Sequence, residues 1–325
     1  DGGHIYFSSD RGGSMNLWRV PIDEVSGRVL GEPERVTAPT PFAHQPTFSA
    51  DGSRLAYVSS LVEQRLMRIR FDAASGRIRG EPEIVADDLR RVAFSHVARD
   101  GETMVFTRTH PREDLLLSRV DGTGRRQLTD DAFRDRRPRF SPDGERIAFY
   151  SNRGGHYEIW TMARDGTDLR QLTEDPERRN ARYPMWSPDG TRLLYSREGV
   201  TGEIISVTAA PGSPPVRALP DYAREGYTFV AVEWSPDGRF VAGHLRTPAD
   251  ERSGISLFDL ETDSYVDLTD FGWLPEWTPD GRSLVFQGRL PGEARDPEFP
   301  QNEALLLLDV ATGKARDLLA SPGAT

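Results

Sequence analysis

A short phrase ending in Asp-Gly returns along this chain and constrains its fold more than any other feature. The successive Asp residues lie 50, 49, 43, 46, 48 and 43 residues apart, and the first copy consists only of the opening dipeptide. Such a period indicates one small structural unit that is repeated, because a unit of this size buries its apolar faces only against its neighbours. Seven copies predict seven units. Their Asp residues are Asp1, Asp51, Asp100, Asp143, Asp189, Asp237 and Asp280.

The phrase has the composition of a tight turn between two strands. Its fullest form, Ser-Pro-Asp-Gly, combines a Pro that fixes φ, an Asp that hydrogen-bonds nearby backbone and a Gly that accepts positive φ. A short strand ending in an aromatic residue precedes the turn, and an apolar run such as residues 146–150 follows it. Each copy therefore predicts a β-hairpin. The aromatic residues are Phe48, Phe140, Trp186, Trp234 and Trp277.

Two further strands follow the hairpin in most units. The third is apolar, as in residues 158–162, and the fourth is more polar, as in residues 170–173. Four strands per unit, with the polar strand outward, are typical of a propeller blade. We therefore predict an all-β, seven-bladed β-propeller of four-stranded antiparallel blades, with six blades as the alternative. Tryptophans at fixed repeat positions are expected to pack between blades: Trp18, Trp160, Trp186, Trp234 and Trp277.

The repeats fill the chain, so residues 1–325 are expected to form a single domain. Unit one lacks its innermost strand because the chain begins at the turn. Either the short tail after Leu319 or residues before Asp1 would supply that strand, and a ring left open would expose strand edges and melt earlier. The units are placed approximately at residues 1–43, 44–91, 92–136, 137–182, 183–231, 232–273 and 274–325.

Composition excludes several classes of function. The net charge of −10 does not suit sequence-independent binding of nucleic acid, which needs a basic surface. The sequence has no cysteine, which removes disulfides, thiol nucleophiles and Cys-based metal sites. No apolar run reaches the length of a membrane span, so we expect no membrane insertion by this domain. We expect a monomer without a cofactor, trimmed from a larger bacterial protein and located in the periplasm or otherwise outside the cytoplasm.

Residues just before the innermost strands are expected to meet at the channel mouth. One arc of that mouth is basic and the other apolar. Guanidinium groups bind carboxylates and phosphates in bidentate fashion, so convergent arginines predict an anionic ligand. The alternative is that these arginines are solvated or paired with the acids of the same loops, as exposed ion pairs commonly are. The candidate ligand-binding residues are His44, Arg91, Arg136, Arg182 and Trp273.

Catalytic and metal-binding motifs are sparse in this sequence. The six histidines form neither His-x-x-x-His nor His-Glu-x-x-His, so no metal site is predicted, although His44, His96 or His244 could still meet across the channel. The segments that begin at Asp10 and Asn152, each followed by Arg-Gly-Gly, fit turns better than calcium loops. No nucleophile elbow, Walker loop or dinucleotide fingerprint is present, so no catalytic residue is predicted.

The repeated phrases resemble the TolB-type, WD-repeat-like propeller repeat. The resemblance rests on the Ser-Pro-Asp-Gly turn followed by Ile-Ala-Phe, and on the segments 151–160 and 9–18. It covers essentially the whole chain. Residues 18–34 and 67–83 are more loosely similar to propeller regions of large bacterial signalling proteins, including membrane-anchored Ser/Thr kinases. The resemblance implies a rigid disc whose loops bind proteins, peptides or small ligands, and it implies no single chemistry.

Three functions remain open from the sequence. The first is a non-catalytic binding or sensing propeller that takes a peptide, protein or small anionic ligand at the channel mouth. The second is a propeller lyase or glycosidase acting on an acidic sugar, which would need histidines or carboxylates that converge in the channel. The third is the gating propeller of a serine peptidase that lacks its catalytic domain.

Overall fold

The computed structural model confirms an all-β, seven-bladed β-propeller with antiparallel sheets. It describes residues 3–9, 16–37, 43–48, 55–59, 65–72, 75–85, 92–109, 112–197, 200–247, 252–290 and 304–318, with backbone alone at 8, 43–48, 55–59, 200 and 252–253. Within these ranges the regular structure is entirely β-strand, and no helix is long and apolar enough to cross a membrane.

The described residues contain 27 strands, which follow one another without any intervening helix. In chain order they are β1 (His4–Ser9), β2 (Asn16–Pro21), β3 (Glu34–Arg35), β4 (Ala43–Phe48), β5 (Leu55–Ser59), β6 (Met67–Asp72), β7 (Arg77–Ile84), β8 (Val92–Val97), β9 (Thr103–Arg108), β10 (Asp114–Arg119), β11 (Arg126–Gln127), β12 (Asp135–Phe140), β13 (Arg146–Ser151), β14 (Glu158–Ala163), β15 (Arg170–Gln171), β16 (Ala181–Trp186), β17 (Arg192–Arg197), β18 (Val200–Ser206), β19 (Arg217–Ala218), β20 (Thr228–Trp234), β21 (Phe240–Arg246), β22 (Arg252–Asp259), β23 (Ser264–Asp267), β24 (Trp273–Trp277), β25 (Ser283–Gly288), β26 (Ala304–Asp309) and β27 (Lys314–Asp317).

The strands pair in chain order within each repeat unit. Strands β8 to β27 form five four-stranded sheets, β1 to β3 form a three-stranded sheet, and the second unit contributes the hairpins β4–β5 and β6–β7. In the described residues the first sheet thus has three strands rather than four. The residues expected to complete it, Asp1 and those after Leu319, lie outside the described ranges, as does most of the insertion between β25 and β26.

Each Ser-Pro-Asp-Gly turn is closed by one repeated hydrogen-bond network. In the fifth unit the Ser187 hydroxyl donates to the Asp189 carboxylate at 2.6 Å and accepts from the backbone N–H of Arg192 at 3.0 Å. The Asp189 carboxylate also accepts from the N–H of Thr191 at 3.0 Å. The fourth, sixth and seventh units repeat this arrangement. The turn is therefore a specified structure, which explains why it recurs in the sequence.

This network makes a prediction about acid stability. The Ser187 and Thr191 hydrogen bonds hold the pKa of Asp189 at about 2, below its ordinary value. Asp189→Ala should lower the free energy of unfolding by about 1 kcal/mol at pH 7, because two or three partly exposed hydrogen bonds are lost. A depressed folded pKa contributes stability above the unfolded pKa, and that contribution disappears as pH falls through the folded pKa. Urea unfolding should therefore show the two proteins converging between about pH 4 and pH 2, and a constant gap would contradict the assignment.

A buried threonine fastens the outer strand to the third strand in several units. The Thr173 hydroxyl accepts from the N–H of Ile159 at 2.8 Å, and Thr129 does the same for Leu115 at 2.9 Å. Thr37 and Thr269 repeat the contact in the first and sixth units. These threonines end the polar segments that the sequence placed outermost. The short fourth strand is therefore attached to the third strand by a threonine side chain as well as by backbone hydrogen bonds.

The core lies between adjacent sheets. Leu194 of the fifth unit packs with Val241 of the sixth, and Val105 of the third packs with Ile147 of the fourth. Trp186 and Trp234 are buried at the ends of their strands, which confirms the packing role predicted for them.

The outer hairpin of the second unit lies against the last sheet. There the Arg316 guanidinium donates to the carbonyl of Gly76. A Cβ built on Gly76 would lie 2.8 Å from the Leu307 side chain, so the two elements are in close contact.

Candidate functional site

The innermost strands of the described units contain a backbone bulge beside the axis of the disc. The pairing with the second strand shifts register at this point in six units, for example between Arg136 and Arg139. In four of them the bulged residue has positive φ although it is not glycine, which is uncommon and strained for large side chains. These residues are Phe94 (φ 52), Arg137 (φ 51), Tyr183 (φ 58) and Leu274 (φ 51), each six positions before the Asp of its turn.

The described part of the channel contains two cavities. The turn-side cavity, of about 930 Å³, is bounded by the prolines of the Ser-Pro-Asp-Gly turns and by Trp186, Trp234 and Trp277. The mouth cavity, of about 820 Å³, is bounded by the bulged residues Phe94, Arg137, Tyr183 and Leu274 together with Trp273. Both cavities are lined by Arg139 and Glu276, so they meet at this pair of side chains.

An ion-pair cluster stands where the two cavities meet. The Arg139 guanidinium donates twice to the Glu276 carboxylate, one of the bonds measuring 3.1 Å, and lies 3.3 Å from the Glu233 carboxylate. The Arg139 side chain is 8% exposed, whereas Glu233 and Glu276 are 24% and 48% exposed toward the channel. These residues and His96 share one repeat position, four before the Asp of the turn. One guanidinium thus holds together three separate blades.

The two carboxylates of this cluster have opposite protonation tendencies. Burial raises the pKa of Glu233 to about 7, since its single contact to Arg139 does not offset the loss of solvent. The bidentate contact of Arg139 outweighs burial at Glu276 and lowers its pKa. Burial, with the nearby charge of Arg139, lowers the pKa of His96 to about 3. His96 is therefore neutral at physiological pH, where its Nδ1 accepts from the N–H of Phe140 at 3.2 Å.

The raised pKa of Glu233 predicts a pH-dependent stability. A carboxyl that binds its proton more tightly in the folded state loses stability as pH rises from the unfolded to the folded pKa, here from about 4.5 to about 7. Between pH 5 and pH 7.5 the wild type should lose about 1 kcal/mol relative to Glu233→Gln, a value reduced for partial exposure. Urea unfolding of both proteins measures the difference. Glu276→Gln is the matched control and should change in the opposite sense, and parallel curves for wild type and Glu233→Gln would refute the assignment.

Arg137 lies at the inner wall of the mouth cavity, between two aromatic rings. Its guanidinium carbon is 4.8 Å from the ring centroid of Phe94 and 4.7 Å from that of Tyr183. The residue is 8% exposed, and its Nε is buried without a hydrogen-bond partner. No carboxylate in the described ranges pairs with it. Burial, followed by the charge of Arg139, lowers the pKa of Arg137.

The arginines predicted for the mouth lie at its rim. Arg136 donates to Glu113, with one bond of 2.7 Å, and its guanidinium carbon is 5.5 Å from the ring centroid of Tyr157. The Arg182 guanidinium lies 5.5 Å from the same ring. The structure therefore brings Arg136 and Arg182 together on Tyr157, with Arg136 neutralised locally. The side chain of His44 and all of Arg91 lie outside the described residues.

Trp273 occupies the same register position as Arg136 and Arg182, seven before the Asp of its turn. It begins β24, lines the mouth cavity, and its ring centroid is 6.5 Å from that of the buried His244. Trp273 therefore stands at a repeated position where two other units carry arginine.

The described ranges bear on the metal sites that the sequence left open. No group of three or more metal-binding side chains occurs there. Residues 152–155 form a turn closed by the N–H of Gly155 donating to the Asn152 carbonyl at 2.8 Å, while Arg153 binds the buried Asp135 carboxylate at 2.8 Å. The corresponding segment at Asp10 lies outside the described residues.

The sequence interpretation placed Arg137 beside Arg136 at the channel mouth but did not select it as a ligand-binding candidate, and it gave no role to Arg139, Glu233 or Glu276. A signal was available, since charged residues occupy one repeat position in three units, although strand residues beside aromatic core positions are normally apolar. A charge that recurs at an interior repeat position indicates pairing across the axis.

Comparison with known proteins gives the following matches. The model of the TolB β-propeller domain family matches residues 44–221. Dipeptidyl-peptidase 5 of Porphyromonas endodontalis is 28% identical over 117 residues, which are 34% of this chain and 17% of that protein. The TolB homolog of Chlorobium luteolum is 47% identical over 53 residues, which are 16% of this chain and 12% of that protein. The match therefore spans less than a fifth of either curated relative.

Among solved structures, TolB from Acinetobacter baumannii superposes with a TM-score of 0.58 at 15% identity, over 95% of this chain and 77% of that one. At this identity the similarity establishes a common fold.

Proposed function

Since this chain belongs to the TolB β-propeller domain family, we propose that it is a non-catalytic binding domain that takes a segment of a partner protein at its channel mouth. The observation that carries the proposal is the mouth cavity of about 820 Å³ lined by Phe94, Tyr183, Trp273 and Leu274. Large aromatic side chains around a concave opening are typical of peptide and protein recognition sites, since they offer contact area at small entropic cost.

The rim of the mouth supports the same proposal. Arg136 and Arg182 flank Tyr157 outside the aromatic cavity, so an entering segment would pass a polar rim before it reaches an apolar interior. We propose that His44, Arg91, Arg136, Arg182 and Trp273 contribute to binding. A rigid propeller that presents such a site at the start of its innermost strands needs no catalytic group.

An immobilised array of random heptapeptides tests this proposal. The wild-type protein should retain a reproducible subset, and Trp273→Ala and the double variant Arg136→Ala/Arg182→Ala should lose at least about tenfold in affinity for that subset. His44→Ala and Arg91→Ala complete the series. Arg170→Ala, on the outer strand β15 and paired with Asp168 at 2.7 Å, is the control that should bind like wild type. Retention of no peptide, or equal retention by the mouth variants, would refute a peptide-binding mouth.

The match to a dipeptidyl-peptidase favours a second candidate, the propeller of a serine peptidase. In that case the mouth would select or admit peptides for a separate hydrolase domain. The parent gene distinguishes the two, because a peptidase requires roughly 200 residues of α/β pattern beyond the propeller. Absence of such a region from the gene would remove this candidate.

We further propose that the domain acts outside the cytoplasm as a monomer. The absence of cysteine is compatible with that location, and the net charge of −10 disfavours a nucleic-acid partner. Fractionation of the native host with an antibody to the domain tests the location, and detection in the cytoplasm alone would exclude it.

A further inference from the structure

We infer that Arg137 is a carboxylate-binding group, and that the segment recognised at the mouth presents a carboxylate to it. This inference rests on the proposed function and specifies its ligand. The observation behind it is a buried guanidinium without an acidic partner: Arg137 is 8% exposed, and no carboxylate of the described residues pairs with it. Buried arginines are rare unless paired, since removing a charge from water is costly.

The surroundings of Arg137 leave its donors available. Phe94 and Tyr183 cover the two faces of the guanidinium at 4.8 and 4.7 Å. Hydrogen-bond donors of a guanidinium lie in its plane, and stacking on the faces does not use them. The Nε is buried and unbonded, so at least one donor has lost its water without gaining a protein partner.

Glu233 and Glu276 act on Arg137 electrostatically, but neither of them forms a hydrogen bond or an ion pair with it. Arg139, two residues along the strand, is engaged with Glu276 and Glu233. Arg137 therefore lines the mouth cavity with donors that no carboxylate of the described residues engages directly. Its positive-φ backbone, shared with both flanking aromatic residues, shows that the protein tolerates strain at three neighbouring blades to build this stack.

The geometry favours a planar ligand group. A carboxylate binds a guanidinium side by side in one plane through two parallel hydrogen bonds, and such a flat pair fits between two aromatic rings. The apolar lining beside it, Trp273 and Leu274, suits a hydrophobic neighbour of that carboxylate. Either a chain-terminal carboxylate or an Asp or Glu side chain supplies this chemistry.

Thermal unfolding with small probes tests the inference without knowledge of the natural ligand. Phenylacetate at about 20 mM should raise the Tm of the wild type by about 2 °C over the same concentration of phenylacetamide. Arg137→Met should abolish this difference, Arg137→Lys should weaken it, and Arg170→Met should preserve it. Arg137→Met should also unfold at or above the wild-type Tm without probe, because a buried unpaired charge is removed.

Two results of this experiment would overturn the inference. One is equal stabilisation of the wild type and Arg137→Met by phenylacetate. The other is stabilisation of the wild type by inorganic phosphate, dependent on Arg137, at least as large as that by phenylacetate, which would assign the site to tetrahedral anions.

Peptides then separate the two carboxylate sources and the two proposals. Each array peptide is made with a free C-terminus, with an amidated C-terminus, and amidated with one Glu. If only the peptides with a free C-terminus need Arg137 for binding, the ligand group is a chain-terminal carboxylate. If the amidated peptides with one Glu need Arg137, the ligand group is an acidic side chain. If all three forms bind equally to the wild type and Arg137→Met, the carboxylate inference fails while peptide binding at the mouth stands. If no form binds, the proposed function fails, and the phenylacetate result alone decides the chemistry of Arg137.

Discussion

Replacing Arg139 with alanine should lower the free energy of unfolding by about 2–3 kcal/mol at pH 7. The variant would leave Glu233 and Glu276 without the guanidinium that pairs with both of them. Loss of one partner from a fully buried pair costs about 3–5 kcal/mol, and we expect less here because Glu276 is 48% exposed. Urea unfolding followed by circular dichroism measures the effect.

Two companion variants show whether charge is the cause. The triple variant Arg139→Met/Glu233→Gln/Glu276→Gln should recover most of the loss, since neither carboxylate is then left without its guanidinium partner. Arg170→Ala removes an exposed arginine, 62% accessible, from its pair with Asp168, and should change stability by less than about 0.5 kcal/mol. The loss of unfolding free energy in Arg139→Ala should become smaller toward pH 4, because protonation removes the negative charges of the two carboxyl groups. A pH-independent loss that the triple variant does not recover would mean that Arg139 acts by packing alone.

Gly254→Ala should be among the most destabilising single substitutions in the chain, with an expected loss of about 3–4 kcal/mol. Gly254 has φ +98, a conformation that L side chains rarely adopt. A Cβ there would collide with the backbone carbonyl oxygen of Thr269 and would lie 3.1 Å from the Cα of Asp270. Backbone atoms cannot turn away as a side chain can, so the strand β22 and the Thr269 cap would have to separate.

Gly313→Ala is the matched control for this prediction. Gly313 also has positive φ, +67, but a Cβ there meets no atom within 4 Å. Gly313→Ala should therefore lose only about 1 kcal/mol of unfolding free energy, the cost of placing an L side chain at positive φ. Thermal unfolding of both variants separates strain from collision. Equal losses in the two variants would show that the close approach at Gly254 relaxes without cost.

The features that the sequence predicted correctly are those set by local chemistry. The Ser-Pro-Asp-Gly turns, such as that at Asp189, use bonds between residues at most five positions apart, and so they appear as a phrase. The aromatic residues that end three of the innermost strands, Phe140, Trp186 and Trp234, are buried by their neighbours as the repeat requires. Blade architecture follows from these two patterns.

The candidate site was less predictable because it depends on contacts between distant units. Arg139 and Glu276 are separated by 137 residues in sequence, and neither residue type specifies its partner. The bulges were also missed, since residues such as Phe94 and Tyr183 carry no preference for positive φ. One-residue shifts of this kind decide whether Arg136 or Arg137 enters the channel. The sequence placed both near the mouth, and only the structure separates the ion-paired rim residue from the buried one.

The meeting of the two cavities at Arg139 and Glu276 has a consequence for communication through the disc. A ligand bound in either cavity would therefore lie close to this pair of side chains. An electrostatic effect can extend from one cavity to the other. An anion bound near Arg137 would change the electrostatic field at Arg139. It would thereby change the strength of the ion pair between Arg139 and Glu233, which belongs to another blade. Two partners bound on opposite faces would then affect each other's binding through the Arg139 guanidinium.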